Sequence, residues 1–175
     1  MKLDPGRVFR MAETNAPVAG CTVSQQIGAG KNPLWIFSLG EGTDISAEIY
    51  PYHKLLTVHT GRLALTGSLK GTVLEAGESL LTPTDVPVGM AAEEDTVYTE
   101  VEIQKEDIMN NAVKAGEAFR LADLVPYQEG RIVNMDVVHN DKMKFVVMAF
   151  DAGTGLSEHA APGDALIFAL DGLSL

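Results

Sequence analysis

Few side chains in this chain of 175 residues stand in patterns that could do chemistry. Glu48, Tyr50 and Lys54 share one parity in a stretch that alternates like a strand, so they project to one side of it. His53 and His59 have the opposite parity, which makes them surface or interface residues. Ile27 to Lys31 reads IGAGK and has the glycines and the lysine of a phosphate loop. It lacks the earlier glycine at the required spacing, and Asn32 stands where Ser or Thr should follow the lysine, so it reads as a Gly-rich turn between strands. Cys21, the one cysteine, rules out an internal disulfide and a cysteine-based zinc site, and reads as a small buried hydrophobe. There is no G-x-S-x-G elbow and no paired Cys and His. The run Glu93-Glu94-Asp95 reads as a solvated turn.

The elements that must position these groups are short. Leu34 to Phe37, Leu55 to His59, Leu63 to Leu65, Thr72 to Leu74, Ser79 to Leu81 and Thr96 to Ile103 are apolar or alternating runs, closed by Gly, Pro and Asp every few residues. That pattern predicts an all-β sandwich or barrel. Residues 105–118 are richer in helix formers and read as a short helix or loop. Ile132 to Val138 and Lys144 to Phe150 predict a hairpin turning at His139-Asn140-Asp141, and Ala165 to Leu170 a last strand. The net charge of −11 argues against a nucleic-acid or anionic-membrane partner. No apolar leader opens the chain and no run has the length of a membrane helix, so a cytoplasmic protein is the expectation.

One stretch occurs twice. Gly42 to Gly61 reads GTDISAEIYPYHKLLTVHTG, and Gly153 to Gly172 reads GTGLSEHAAPGDALIFALDG. They align without a gap, with Gly, Thr, Ser, Pro, Leu and the closing Gly identical. Upstream, Phe9-Arg10-Met11-Ala12 matches Phe119-Arg120-Leu121-Ala122. The reading is a tandem duplication whose second copy stops early.

Both copies resemble the cupins, small jelly-roll barrels (double-stranded β-helices). Their first motif is G-x5-H-x-H-x3,4-E-x6-G and their second G-x5-P-x-G-x2-H-x3-N. Gly42 and Gly61 bracket the first here, and Gly77 with Pro83 opens the second. The resemblance implies a barrel over residues 25–105 after an arm over 1–24, then a linker and start of repeat over 106–130, and a partial second barrel over 131–175. In the family the His, His, Glu and His of these motifs hold a divalent metal. Carried over, those positions hold Glu48, Tyr50, Lys54 and Val88, and the second-motif Gly and Asn positions hold Asp85 and Ala92. One carboxylate beside an ammonium does not make a cation site. In the second copy His159 stands at the first His position, Ala161 at the second and Ala165 at the Glu position.

The resemblance thus implies a non-catalytic, small-molecule-binding or regulatory cupin with a degenerate metal site. Its ligand-binding residues would be Glu48, Tyr50, Lys54, Val88 and His159. Glu48 and Lys54 are expected to pair with each other or with a polar ligand, and Lys54 points to an anionic one. No cofactor is expected, His159 being the one remaining place for a divalent metal. Two alternatives stand beside this: a metal-dependent isomerase or dioxygenase acting in a complete second barrel, and a structural module for oligomerisation. The open half-barrel, apolar on both faces, is expected either to pack on the intact barrel or to pair with the same segment of a second copy, and the expectation is a homodimer in which the C-terminal segment supplies much of the interface.

Overall fold

The computed structural model describes residues 3–160 and 163–172, and it is almost entirely β. A short helix α1 (Met11–Thr14) precedes β1 (Thr22–Gly28), β2 (Leu34–Leu39), β3 (Asp44–Ile49), β4 (His53–Thr60), β5 (Arg62–Gly67), β6 (Val73–Glu75), β7 (Glu78–Leu81), β8 (Pro87–Ala92) and β9 (Thr96–Ile103). After them come β10 (Ile108–Met109), β11 (Ala118–Arg120), a 3₁₀ turn (Leu121–Leu124), β12 (Ile132–His139) and β13 (Lys144–Phe150). The strand pairings are antiparallel. Three sheets result, in the orders β1-β2-β9-β4-β7-β11, β3-β8-β5-β6 and β10-β12-β13. Among the described residues no helix is long and apolar enough to cross a membrane.

The first two sheets face each other and close a barrel. Period-2 alternation sends Leu56 and Val58 of β4, Tyr98 of β9 and Leu39 of β2 inward, where they meet Leu63, Leu65, Leu80 and Met90. The other face of the large sheet is also apolar, because it is covered too. Leu55, Leu81, Val101 and Ile103 pack against Val137, Val147 and Ala149 of the β12–β13 hairpin. This is why β9 is buried along nearly its whole length and carries apolar residues on both faces. The hairpin therefore packs on the intact barrel.

A buried polar group fastens the hairpin in place. One Asp107 oxygen accepts from Asn32 (2.7 Å) and from the Gln104 backbone N–H (2.9 Å), while the other accepts from Asn140 (2.9 Å). Lys31 adds an ion pair at 3.3 Å. The Gly-rich stretch closes β1 at Gly28 and turns over residues 29–33 into β2, and Lys31 and Asn32 of that turn hold a carboxylate of the chain itself.

Two turn positions show why particular residues stand where they do. Gly61 has φ +76°, and a Cβ there would meet the Asp95 carbonyl oxygen at 2.4 Å. Asp85 occupies the second-motif glycine position and has φ 60°, so the left-handed turn is kept without the glycine. Aspartate is among the few side chains that tolerate this conformation.

Two expectations are corrected and one is narrowed. Cys21 is exposed, because it sits in the turn before the edge strand β1. Of the helix or loop expected over 105–118 the structure has the loop, with turns and the short β10, which pairs with β12. Ala165 to Leu170 is not a strand. The β4 stretch with which it aligns in sequence is held between β9 and β7, and no such partners flank this segment among the described residues.

Phe168 nevertheless docks on the barrel. It stacks on His59 with ring centroids 5.7 Å apart, beside Met11, Ile36 and Val97. His59 Nε2 also lies 3.0 Å from Thr99 Oγ1. Burial lowers the His59 pKa from 6.5 to about 4. A lowered pKa means that stability is full above the unfolded value and is lost as pH falls through the folded one. Between pH 6.5 and 4 this should remove about 2–3 kcal/mol. Urea unfolding at a series of pH values should show that fall in the wild type and not in His59→Leu. An unchanged acid limb in the variant would assign it to another group.

Candidate functional site

The polar end of the barrel interior is built from β3, β4 and β9. On β4, Lys54 has the same parity as the core residues Leu56 and Val58, so it continues the inward face toward the barrel mouth. In the β4–β9 ladder Lys54 stands opposite Glu102 and Leu56 opposite Glu100. Glu100 is thus one step deeper than Lys54 on the same face, and the lysine reaches back to it. Lys54 Nζ lies 3.1 Å from Glu100 Oε1, with the side chains 11% and 4% exposed.

The ring of Tyr50, which follows β3 directly, covers this pair. Lys54 Nζ is 3.8 Å from its centroid, a cation–π contact in a largely dry place. The Tyr50 hydroxyl donates to Glu48 Oε2, and Tyr52 packs at 5.2 Å beside the Tyr50 ring. Val88 lies opposite Glu48 across β3 and β8 and is a buried apolar wall. Below the pair, Tyr98 is fully buried and stacks on Phe37 at 5.1 Å.

Charge here is held against desolvation. Burial raises the Glu100 carboxyl above its ordinary value, and Lys54 beside it pulls the other way without cancelling the rise. Burial also raises Tyr98 well above the usual phenol value, with Glu100 adding to it. Tyr50 is raised by its hydrogen bond to Glu48 and then by burial. The Tyr98 hydroxyl and Glu100 Oε2 are buried and find no hydrogen-bond partner among the described residues. Such atoms cost stability unless something meets them.

Of the five residues singled out from sequence, the structure brings Glu48, Tyr50 and Lys54 together and sets Val88 across from Glu48. Lys54 pairs with Glu100, not with Glu48. His159 lies in the coil before residue 160 and is exposed, its Nδ1 donating to the Ser157 carbonyl at 2.8 Å. Ala161 lies outside the described residues. Sequence reasoning missed Glu100 and Tyr98. Their signal was present in TVYTEVEI, where Tyr98, Glu100 and Glu102 share one parity; that face reads as solvated until the barrel closes over it.

The residues at the metal positions do not fit a divalent ion. The one carboxylate among them, Glu48, is engaged by Tyr50, and the Lys54 ammonium stands where the family has an anion. Among the described residues no group of three or more His, Cys, Asp or Glu comes together in a way that could hold a metal.

No protein-family model matches this chain, and no curated protein matches its sequence. Solved structures do. A cupin 2 conserved barrel domain protein from Leptotrichia buccalis superposes with a TM-score of 0.78 at 21% identity, over 93% of this chain and 73% of that one. A cupin superfamily protein from Desulfitobacterium hafniense gives 0.56 at 16%, over 60% of this chain and 97% of its own. An uncharacterized conserved protein with a double-stranded β-helix domain from Klebsiella pneumoniae gives 0.50 at 18%, over 61% and 92%. At such identities the likeness establishes the fold, which is an all-β jelly-roll barrel of the cupin type.

Proposed function

We propose that this chain is a non-catalytic binding module, a cupin-type barrel in which a lysine ammonium has taken over the place of the metal. The observation that carries the reading is the buried Lys54–Glu100 pair under the Tyr50 ring. The pair puts a fixed positive charge, already matched by a carboxylate, at the polar end of the interior. It offers no open coordination position and no nucleophile with an activating base.

The ligand reading shifts from the one the lysine alone supports. Glu100 neutralises Lys54, and the remaining charges toward the mouth are Glu48 and Glu102, with the rings of Tyr50 and Tyr52 between them. Acceptors and π faces favour a neutral or cationic molecule rich in donors, such as a polyol, a sugar or an amine, over an anion. Binding requires Lys54 or Tyr50 to swing aside, since both fill the space above Glu100.

A thermal-shift screen followed by titration calorimetry tests this, using polyols, sugars, amines and organic acids on protein freed of any purification tag. A donor-rich compound should raise Tm, and Glu48→Gln should weaken its binding about tenfold. Preference for organic acids would refute the charge argument. Stoichiometric transition metal in the untagged protein would refute the non-catalytic reading.

We also read residues 119–172 as the opening part of a second barrel unit. Thr22 and Leu34 open β1 and β2, and Ile132 and Lys144 open β12 and β13 at the same interval. Arg10 leads into α1 with φ −111° and ψ 133°, and Arg120 into the 3₁₀ turn with φ −108° and ψ 130°. The smaller solved proteins are matched almost whole by 60–61% of this chain, which supports a further unit beyond the first.

A further inference from the structure

We infer that the deepest contact of the barrel's ligand is a single hydroxyl group, which accepts from the Tyr98 hydroxyl and donates to Glu100 Oε2, so that the ligand is a polyol, a cyclitol or a sugar. The inference rests on the reading of the barrel as a binding module and narrows its ligand class. Tyr98 and Glu100 stand beyond the last position of the two family motifs, which Ala92 holds. They are two residues apart on β9, so both face the barrel interior.

In the ladder Tyr98 stands opposite Phe37 of β2 and Val58 of β4, and Glu100 opposite Trp35 and Leu56. Phe37, Val58 and Leu56 carry no hydrogen-bonding side chain. Glu100 Oε1 meets Lys54 at 3.1 Å, while Glu100 Oε2 and the Tyr98 hydroxyl are buried without a hydrogen-bond partner among the described residues. Tyr98 is 0% exposed and Glu100 3%. Buried polar atoms in this condition cost stability until a bound group meets them. The charges that act on the Tyr98 hydroxyl are those of Glu100 and Tyr50, so it points to the polar end, under the Tyr50 ring, and not into the apolar floor.

Donors and acceptors select the ligand. Burial keeps Tyr98 protonated, so it has one proton to give. Glu100, paired with an ammonium, presents an oxygen that only accepts. One hydroxyl satisfies both through a single atom. An ammonium donates to Glu100 but has no lone pair for the Tyr98 proton, and it would stand beside Lys54, which already holds that carboxylate. A carboxylate accepts from Tyr98 but is repelled by Glu100. The rings of Trp35, Phe37 and Tyr50 around the site suit the C–H faces of a sugar or cyclitol.

Titration calorimetry at millimolar concentrations with myo-inositol, erythritol, butane-1,4-diamine and succinate tests this on the wild type and on Tyr98→Phe. The last three probes share a four-carbon chain and differ in their polar groups. The two polyols should bind the wild type about tenfold more tightly than the diamine or succinate, and Tyr98→Phe should weaken them about tenfold. Tyr98→Phe should itself melt no more than about 3 °C below the wild type, because the hydroxyl it removes has no partner among the described residues. Polyols that bind both proteins equally, or a preference for the diamine or succinate, would overturn the hydroxyl contact and leave a binding module standing. A larger fall in Tm would mean that Tyr98 is already partnered in the free protein, and would overturn it too. Binding by none of the probes would sink the binding reading and this inference together.

Discussion

Lys54→Met is expected to cost the barrel about 3–5 kcal/mol at neutral pH, because it leaves the Glu100 carboxylate buried without its partner. Glu100 is 4% exposed, and its second oxygen already lacks a hydrogen bond among the described residues. The loss has a definite pH dependence. Burial raises the Glu100 pKa, and both lowering influences come from Lys54, so removing the lysine raises it further. For a raised pKa, stability is full below the unfolded value, about 4.3, and is lost as pH rises through the folded value. The deficit of Lys54→Met should therefore be small near pH 4 and grow toward neutrality. Lys54→Met with Glu100→Leu should recover most of it, since replacing both members of a buried pair by apolar groups is often neutral. Urea unfolding of the four proteins from pH 4 to 8 measures the cycle. A single-variant loss under about 1 kcal/mol with no pH trend would mean that the pair is hydrated and the site is open.

Asp107→Ala should cost about 2–4 kcal/mol and should loosen the β12–β13 hairpin before the barrel. The carboxylate joins three separate parts of the chain: the β1–β2 turn through Asn32, the 104–107 turn through the Gln104 N–H, and the β12–β13 turn through Asn140. Alanine leaves those donors without their acceptor beside an apolar interface. Burial pushes the Asp107 carboxyl up, but the bonds from Asn32, Asn140, Gln104 and Lys31 together outweigh it, and the net pKa is lowered. That stability is present above the unfolded value of about 3.9 and is lost as pH falls below it through the folded value. Amide exchange resolved by segment is the check. Protection in 132–150 should fall by more than protection in β4 and β9; a uniform loss would make Asp107 part of the barrel's own cooperative unit.

Much of the fold was legible from local signals. Short apolar runs closed by turn residues point to an all-β barrel because alternation at period two suits only a half-buried strand. The bracketing glycines mark real turns, as Gly61 shows, since a clash with the Asp95 carbonyl is a property of the turn itself. Asp85 shows the limit of matching by residue type, because the position keeps its left-handed backbone after losing its glycine. Of the helix or loop expected at 105–118 the structure has the loop, with β10 taking the edge that β12 offers.

What the sequence by itself determined is the alphabet of the site: Glu48, Tyr50 and Lys54 on one parity, and no set of ligands for a metal at the matching positions. Parity is local, so it can be counted along one strand. Which groups meet across the barrel is not local. Lys54 and Glu100 are forty-six residues apart in sequence, and only the β4–β9 register sets one a step above the other. The same holds for Asp107 with Asn32 and Asn140, and for Phe168 on His59. A buried charge takes whichever partner the closed fold brings within reach, and that partner is chosen by strand register and sheet packing, which no single stretch of the chain contains.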